Sequence, residues 1–304
     1  MKRHIYNLEF PSWCPRLNIA DYQFSRVPEY EERLKSLQHL VGVHAEFRTE
    51  PNTGQHAITA VVEHPDPEPS AALEWSGSST TALWDILLIL SLFSRRDVFA
   101  APPETGSPGA IIRDPRVYAH GGLLRISIPF VGQLIDPESV SYDIGFEQGL
   151  DRVYSLICNA EWRQEYRGGY FLFLANQAFK RQSLEASFIQ CWTIWEHIFS
   201  VHNDRWLSAP SIRTLRAQEK IAFVMERYDM VNQIDPQSRT RLSSLSTIRH
   251  RLVHFGRFPD EDNALQHALL FITLTEWVLA RILQLEPSNA MNTQERLQEF
   301  LLRQ

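Results

Sequence analysis

The chain has 304 residues, 44% of them hydrophobic, which is enough apolar material for two packed domains. Its formal net charge of -6 excludes a protein that coats nucleic acid through overall basicity, so any contact with a polyanion has to come from a local patch. The three cysteines, Cys14, Cys158 and Cys191, form no C-x-x-C pair and have no histidine at zinc-site spacing, which argues for free thiols in a reducing compartment.

At the N-terminus Lys2 and Arg3 are followed by polar residues and Pro11 before any apolar run develops, so no export signal is expected. Residues 1–142 mix the short alternating runs HAITAVVEH, GLLRISIPF and VGVHAEF with the punctuation of HPDPEPS and APPETGSPG, a pattern of strands joined by loops. Between them Thr80 is placed to cap a helix through TALWDILLILSLFSRR. That helix is apolar nearly all round, so it must be covered, most simply by a sheet. Its apolar stretch, residues 83–93, is too short for a bilayer and ends at Arg95 and Arg96, a charge pair suited to a helix C-terminus. The expectation is an α+β domain, a mixed sheet with a buried helix, in a cytoplasmic protein with no membrane partner.

From about residue 144 the pattern changes to long amphipathic segments, and residues 143–304 read as an all-α bundle. Helices are expected over 145–162, 170–180, 184–202, 215–228, 237–255 and 263–285, with a short one after Thr293. Cys158 and Cys191 fall in apolar helical contexts, where a cysteine serves as a small buried hydrophobe.

Two of these helices carry the residues of chemical interest. At about 100° per residue, Arg241, Leu245, Ile248 and Leu252 form a core-facing stripe with Arg249 at its edge, while His250 and His254 lie on the opposite face. On the second helix Leu184, Phe188, Ile189, Trp192, Trp195, Ile198 and Phe199 make a broad apolar surface, with Glu196 just inside its edge. A carboxylate there needs a partner, and Arg249 is the preferred one. The aromatic stripe reads as core, and Arg205, Arg213, Arg216 and Lys220 read as a solvated face. The chain has no H-E-x-x-H and no phosphate-binding glycine loop, although the His250/His254 pair completed by Glu196 or His197 also suits a metal hydrolase.

The run Arg249, His250, Arg251-Leu252-Val253, His254 resembles the signature of the HEPN superfamily: Arg, a polar residue, three further residues, then His. The helix SFIQCWTIWEHIF and the Phe255-Gly256 step after the histidine are similar to the Apea-like ribonuclease branch of that family, over roughly residues 144–285. The resemblance implies a metal-independent endoribonuclease without cofactor, in which two domains of a homodimer face their motifs into one shared cleft. It makes Arg249 and His254 catalytic and His250 and Glu196 supporting, with Arg251 and Arg257 as RNA contacts beside the cleft. A histidine titrating near neutrality exchanges protons with the ribose 2′-OH or the leaving 5′-oxygen. Arginine steadies the charge that builds on the phosphate, and the product is a 2′,3′-cyclic phosphate. The implied substrate is tRNA or mRNA and the implied role a toxin or antiviral effector, with domain 1–142 sensing a trigger or a regulatory protein. The alternative is a catalytically inactive dimerisation module that binds a protein or ligand.

Overall fold

In the computed structural model of the chain the described residues are 1–10, 14–33, 58–73, 81–94, 98–100, 146–180, 184–205, 207–228, 236–258 and 264–285. The N-terminal part forms a five-stranded sheet in the order β2-β3-β4-β1-β5, with β1 at Lys2–Tyr6, β2 at Arg16–Ile19, β3 at Tyr22–Arg26, β4 at Ile58–Glu63 and β5 at Phe99–Ala100. Every pairing among these described strands is antiparallel, where a mixed sheet was expected. For β2 and β3 the reason is local: they are joined by the tight turn at Ala20 and Asp21, with Ala20 left-handed at φ 48°, and a parallel neighbour would need a long crossover. The strand expected in HAITAVVEH is β4, whose β-branched residues suit a pleated surface. VGVHAEF and GLLRISIPF lie outside the described residues, as do Thr80, Arg95, Arg96 and the boundary expected at 142.

The apolar helix is present as α1, Ala82–Ser94. It is buried as its composition requires, and its cover comes from α2 (Phe146–Cys158) and α4 (Gly168–Lys180) as well as from β5. Asp85 is fully buried within it and accepts the backbone N–H groups of Ala72 (2.6 Å) and Leu73 (3.3 Å), so a charge inside an apolar helix holds the preceding loop. Core residues from both halves fall in one contiguous hydrophobic cluster.

The expected 145–162 helix is two helices. Asn159 ends α2 and caps α3, Ala160–Tyr166, by accepting from Trp162 N–H at 3.0 Å. Arg167 then takes a left-handed conformation (φ 49°), and the chain re-enters a helix at Gly168, where an added Cβ would come within 2.8 Å of the Trp162 ring. The remaining helices are α5 (Leu184–Asn203), α6 (Ala209–Thr214), α7 (Ala217–Arg227), α8 (Pro236–Phe255) and α9 (Ala264–Ile282). α6 was not anticipated, and the helix expected after Thr293 lies outside the described residues. α5 is central, packed by α3, α4, α7, α8 and α9. Trp195 donates its indole N–H to Thr275 Oγ1 on α9 at 2.8 Å, and the Thr275 hydroxyl donates to the Phe271 carbonyl, so the α5–α9 contact is polar-satisfied at its centre.

Candidate functional site

The site lies where α8 crosses α5. Leu245, Ile248 and Leu252 are buried, as the stripe predicts, while the side chain of Arg241 lies outside the described residues. They turn Arg249 to the edge of the core, half-buried, and leave His250, Arg251 and His254 exposed. The two imidazoles sit one turn apart, with ring centroids separated by 4.4 Å. On α5, Phe188, Trp192, Trp195, Ile198 and Phe199 are all core residues, and Glu196 is half-buried at their margin.

Arg249 and Glu196 meet the same indole instead of each other. Trp192 donates its ring N–H to Glu196 Oε1 at 3.2 Å, and the Arg249 guanidinium lies over the Trp192 ring, 5.3 Å from its centroid. Among the described residues no ion pair joins Glu196 to Arg249. The expected direct pair is therefore replaced by an indole-bridged arrangement, because the Trp192 ring, 2% exposed, fills the space between α5 and α8 and offers a polar edge to one partner and a π-face to the other. Phe271 (5.6 Å from Trp192) and Phe188 (6.1 Å) back the indole.

α8 ends beyond the site at Gly256, left-handed at φ 69°, whose N–H bonds Leu252 O at 3.0 Å. Phe258 then returns to Phe188, with centroids 6.5 Å apart. Arg251 lies over the Phe255 ring at 5.3 Å, and Arg257 is exposed. Arg205, Arg213 and Arg216 are exposed, and Lys220 reaches the Phe199 ring at 5.9 Å, the snorkelling expected of a solvated helix face.

His197 follows Glu196 in sequence but serves another face, its Nε2–H donating to the Tyr166 carbonyl at 2.8 Å. It opens a network that the sequence reading missed: Tyr166 and Tyr228 hydroxyls 3.0 Å apart, with His202 Nε2 2.8 Å from Tyr228 Oη. Burial lowers the pKa values of His197 and His202 and raises those of both tyrosines. Because α3, α5 and the residue that caps α7 each contribute, no linear spacing announces the cluster. Among the described residues no three His, Cys, Asp or Glu side chains converge in a metal-holding arrangement.

The cysteine expectations divide: Cys191 is buried, but Cys158, at the last position of α2 where that helix breaks at Asn159, is exposed. Cys14, also buried, lies beside Glu147 of α2 at 4.0 Å and has its pKa raised, first by burial. No helix among the described residues is long and apolar enough to cross a membrane. No protein-family model, curated protein or solved structure matches the chain.

Proposed function

We propose that the protein is a HEPN-type endoribonuclease whose reacting groups are Arg249 and His254. The observation that carries this reading is the division of labour on α8. Arg249 is steadied half-buried against Trp192, while His250 and His254 project together from the exposed face. Arg249 supplies paired N–H donors to a phosphate whose negative charge increases as the 2′-oxygen attacks phosphorus. An imidazole removes the 2′-OH proton, the phosphorus–O5′ bond breaks, and an imidazolium protonates the leaving 5′-oxygen, giving a 2′,3′-cyclic phosphate and a free 5′-hydroxyl. The scheme calls for no cofactor. It takes RNA such as tRNA or mRNA, leaves DNA intact for lack of a 2′-OH, and places two motifs of a homodimer around one cleft. Cleavage of RNA inside a cell fits a toxin or an antiviral effector, with residues 1–142 receiving the trigger.

The test is incubation of the purified protein with tRNA or total RNA in EDTA. Arg249→Ala and His254→Ala should each reduce cleavage by roughly 10²–10³-fold. If the wild type and the double variant leave RNA equally intact with any trigger supplied, the enzyme reading fails. The second reading, a non-catalytic interaction module, is favoured by the exposed apolar residues Val253 and Phe255. It predicts that His254→Ala changes neither toxicity nor assembly.

A further inference from the structure

His250 and His254 stand one turn apart on the exposed side of α8, with ring centroids separated by 4.4 Å. Their neighbours leave that face open to a cation. The arginines on either side of His250 in sequence project about 100° to each side of it around the helix, and each is held there by an aromatic ring. Arg249 lies over Trp192 and Arg251 over Phe255, both with the guanidinium carbon 5.3 Å from the ring centroid. Both guanidiniums are thereby turned away from the imidazoles. Thr247, exposed and three residues before His250, is uncharged, and Arg257 comes after the helix has ended at Phe255.

Neutral imidazole is a ligand for late first-row divalent ions, and two of them four residues apart on one helical face can close a chelate. Two nitrogens each about 2.0–2.1 Å from one ion are about 3–3.4 Å apart at bond angles of roughly 90–110°, a span that rings with centroids 4.4 Å apart reach by side-chain rotation with the helix unmoved. We propose that His250 and His254 bind a divalent transition ion of the Zn2+ class, and that an ion held there silences RNA cleavage. Coordination takes up a ring lone pair of His254 and fixes the direction of its imidazole, so the ring no longer exchanges a proton with the 2′-OH. The silencing rests on the ribonuclease reading, whereas the metal site does not. A resident catalytic zinc takes three protein ligands, and this pair supplies two. Glu196 is engaged with the Trp192 indole and His197 with the Tyr166 carbonyl, so neither completes the set. With its remaining positions open to water the ion is exchangeable, which suits an inhibitor and not a hydrolytic cofactor.

The experiment titrates the full chain with Zn2+ alone by calorimetry. His250→Ala and His254→Ala should each weaken binding by about tenfold or more, because the second imidazole of a chelate closes intramolecularly, whereas His4→Ala on β1 should leave it unchanged. Both residues are exposed, so the variants should fold. Zn2+ should also raise the urea midpoint of the wild type and not that of either variant, since only the folded helix brings the pair together. Affinity equal to wild type in either single variant overturns the site and marks the ion as adventitious only, and so does a midpoint that rises equally in all three proteins. Cleavage is the second arm. Zn2+ added in excess of EDTA should stop cleavage by the wild type, and half-inhibition of whatever rate His250→Ala retains should need about tenfold more free Zn2+. Zn2+ binding that depends on both histidines, without cleavage in EDTA under any trigger, supports the metal site and removes the enzyme reading. Cleavage that persists with the site filled overturns the silencing and leaves the enzyme reading in place.

Discussion

Replacing Trp192 by phenylalanine tests the indole-bridged arrangement directly. The N–H bond to Glu196 is lost, a net effect of about 1 kcal/mol because the carboxylate is half-exposed. The six-membered part of an indole that is 2% exposed leaves a cavity against Phe188 and Phe271, worth roughly 1–2 kcal/mol. A smaller ring under the Arg249 guanidinium forfeits up to about 0.5 kcal/mol more, for a total of about 2–3.5 kcal/mol. Glu196→Gln behaves differently, since an amide carbonyl still accepts the indole N–H, and its cost should stay within about 0.5 kcal/mol. Urea denaturation of the single and paired variants, with Arg249→Met as the neutral partner, gives two double-mutant cycles. The Trp192–Arg249 coupling should be up to about 0.5 kcal/mol and the Glu196–Arg249 coupling no larger. A Glu196–Arg249 coupling of about 1.5 kcal/mol or more would restore the direct ion pair and refute the bridge.

Two further outcomes follow from the helical half. His197 and His202 have folded-state pKa values below the ordinary one, with burial as the main cause, so the unfolded chain binds more protons as pH falls past about 6.5. Their contribution to stability is complete above that value and is lost as pH drops through the lowered pKa values; a His197→Gln/His202→Gln chain should show a flatter decline, and denaturation midpoints that fall equally in both proteins between pH 7 and 5 contradict this. Arg167→Gly should stabilise by about 0.5 kcal/mol, because relief of a left-handed non-glycine residue (about 1–2 kcal/mol) exceeds the added chain entropy and the loss of an exposed 3.9 Å pair with Asp204. A urea midpoint shifted downward contradicts it.

What the sequence conveyed depended on whether a residue's role was set by its own helix. The inward direction of Leu245, Ile248 and Leu252 and the outward direction of His250 and His254 follow from periodicity alone, and the structure has them so. The all-round apolar α1 announced its burial, but not that α2 and α4 would supply so much of the cover, because composition carries no partner identity. α6 has no buried residue, so the amphipathic signal was missing even though Ser208 and Pro210 mark a helix start. The break at Asn159 was masked by continuous apolar spacing across it; the asparagine was the clue, since its side chain competes for backbone N–H groups. Charge and burial point Glu196 toward Arg249, but they carry no sign that tryptophan can serve an anion and a cation at once.

The helical geometry also bears on how the proposed site is assembled. Five residues at about 100° each set Arg249 and His254 roughly 140° apart around α8, so one helix presents them in different directions. Arg249 is committed to the Trp192 face and His254 to the open side, so in the proposed dimer a phosphate bound by the arginine of one chain is better served by a histidine of the other. Mixing Arg249→Ala chains with His254→Ala chains, each inactive alone, should then restore cleavage. At equal proportions half of the dimers are mixed, and each mixed dimer has one complete Arg–His set of two, so activity should recover to about a quarter of wild type if the sets act independently. If both residues came from one chain, each mixed dimer would hold no intact set and the mixture would stay inactive. Dimers that demonstrably exchange subunits yet recover no activity would therefore reject the shared site while leaving Arg249 and His254 as the reacting pair within a single chain.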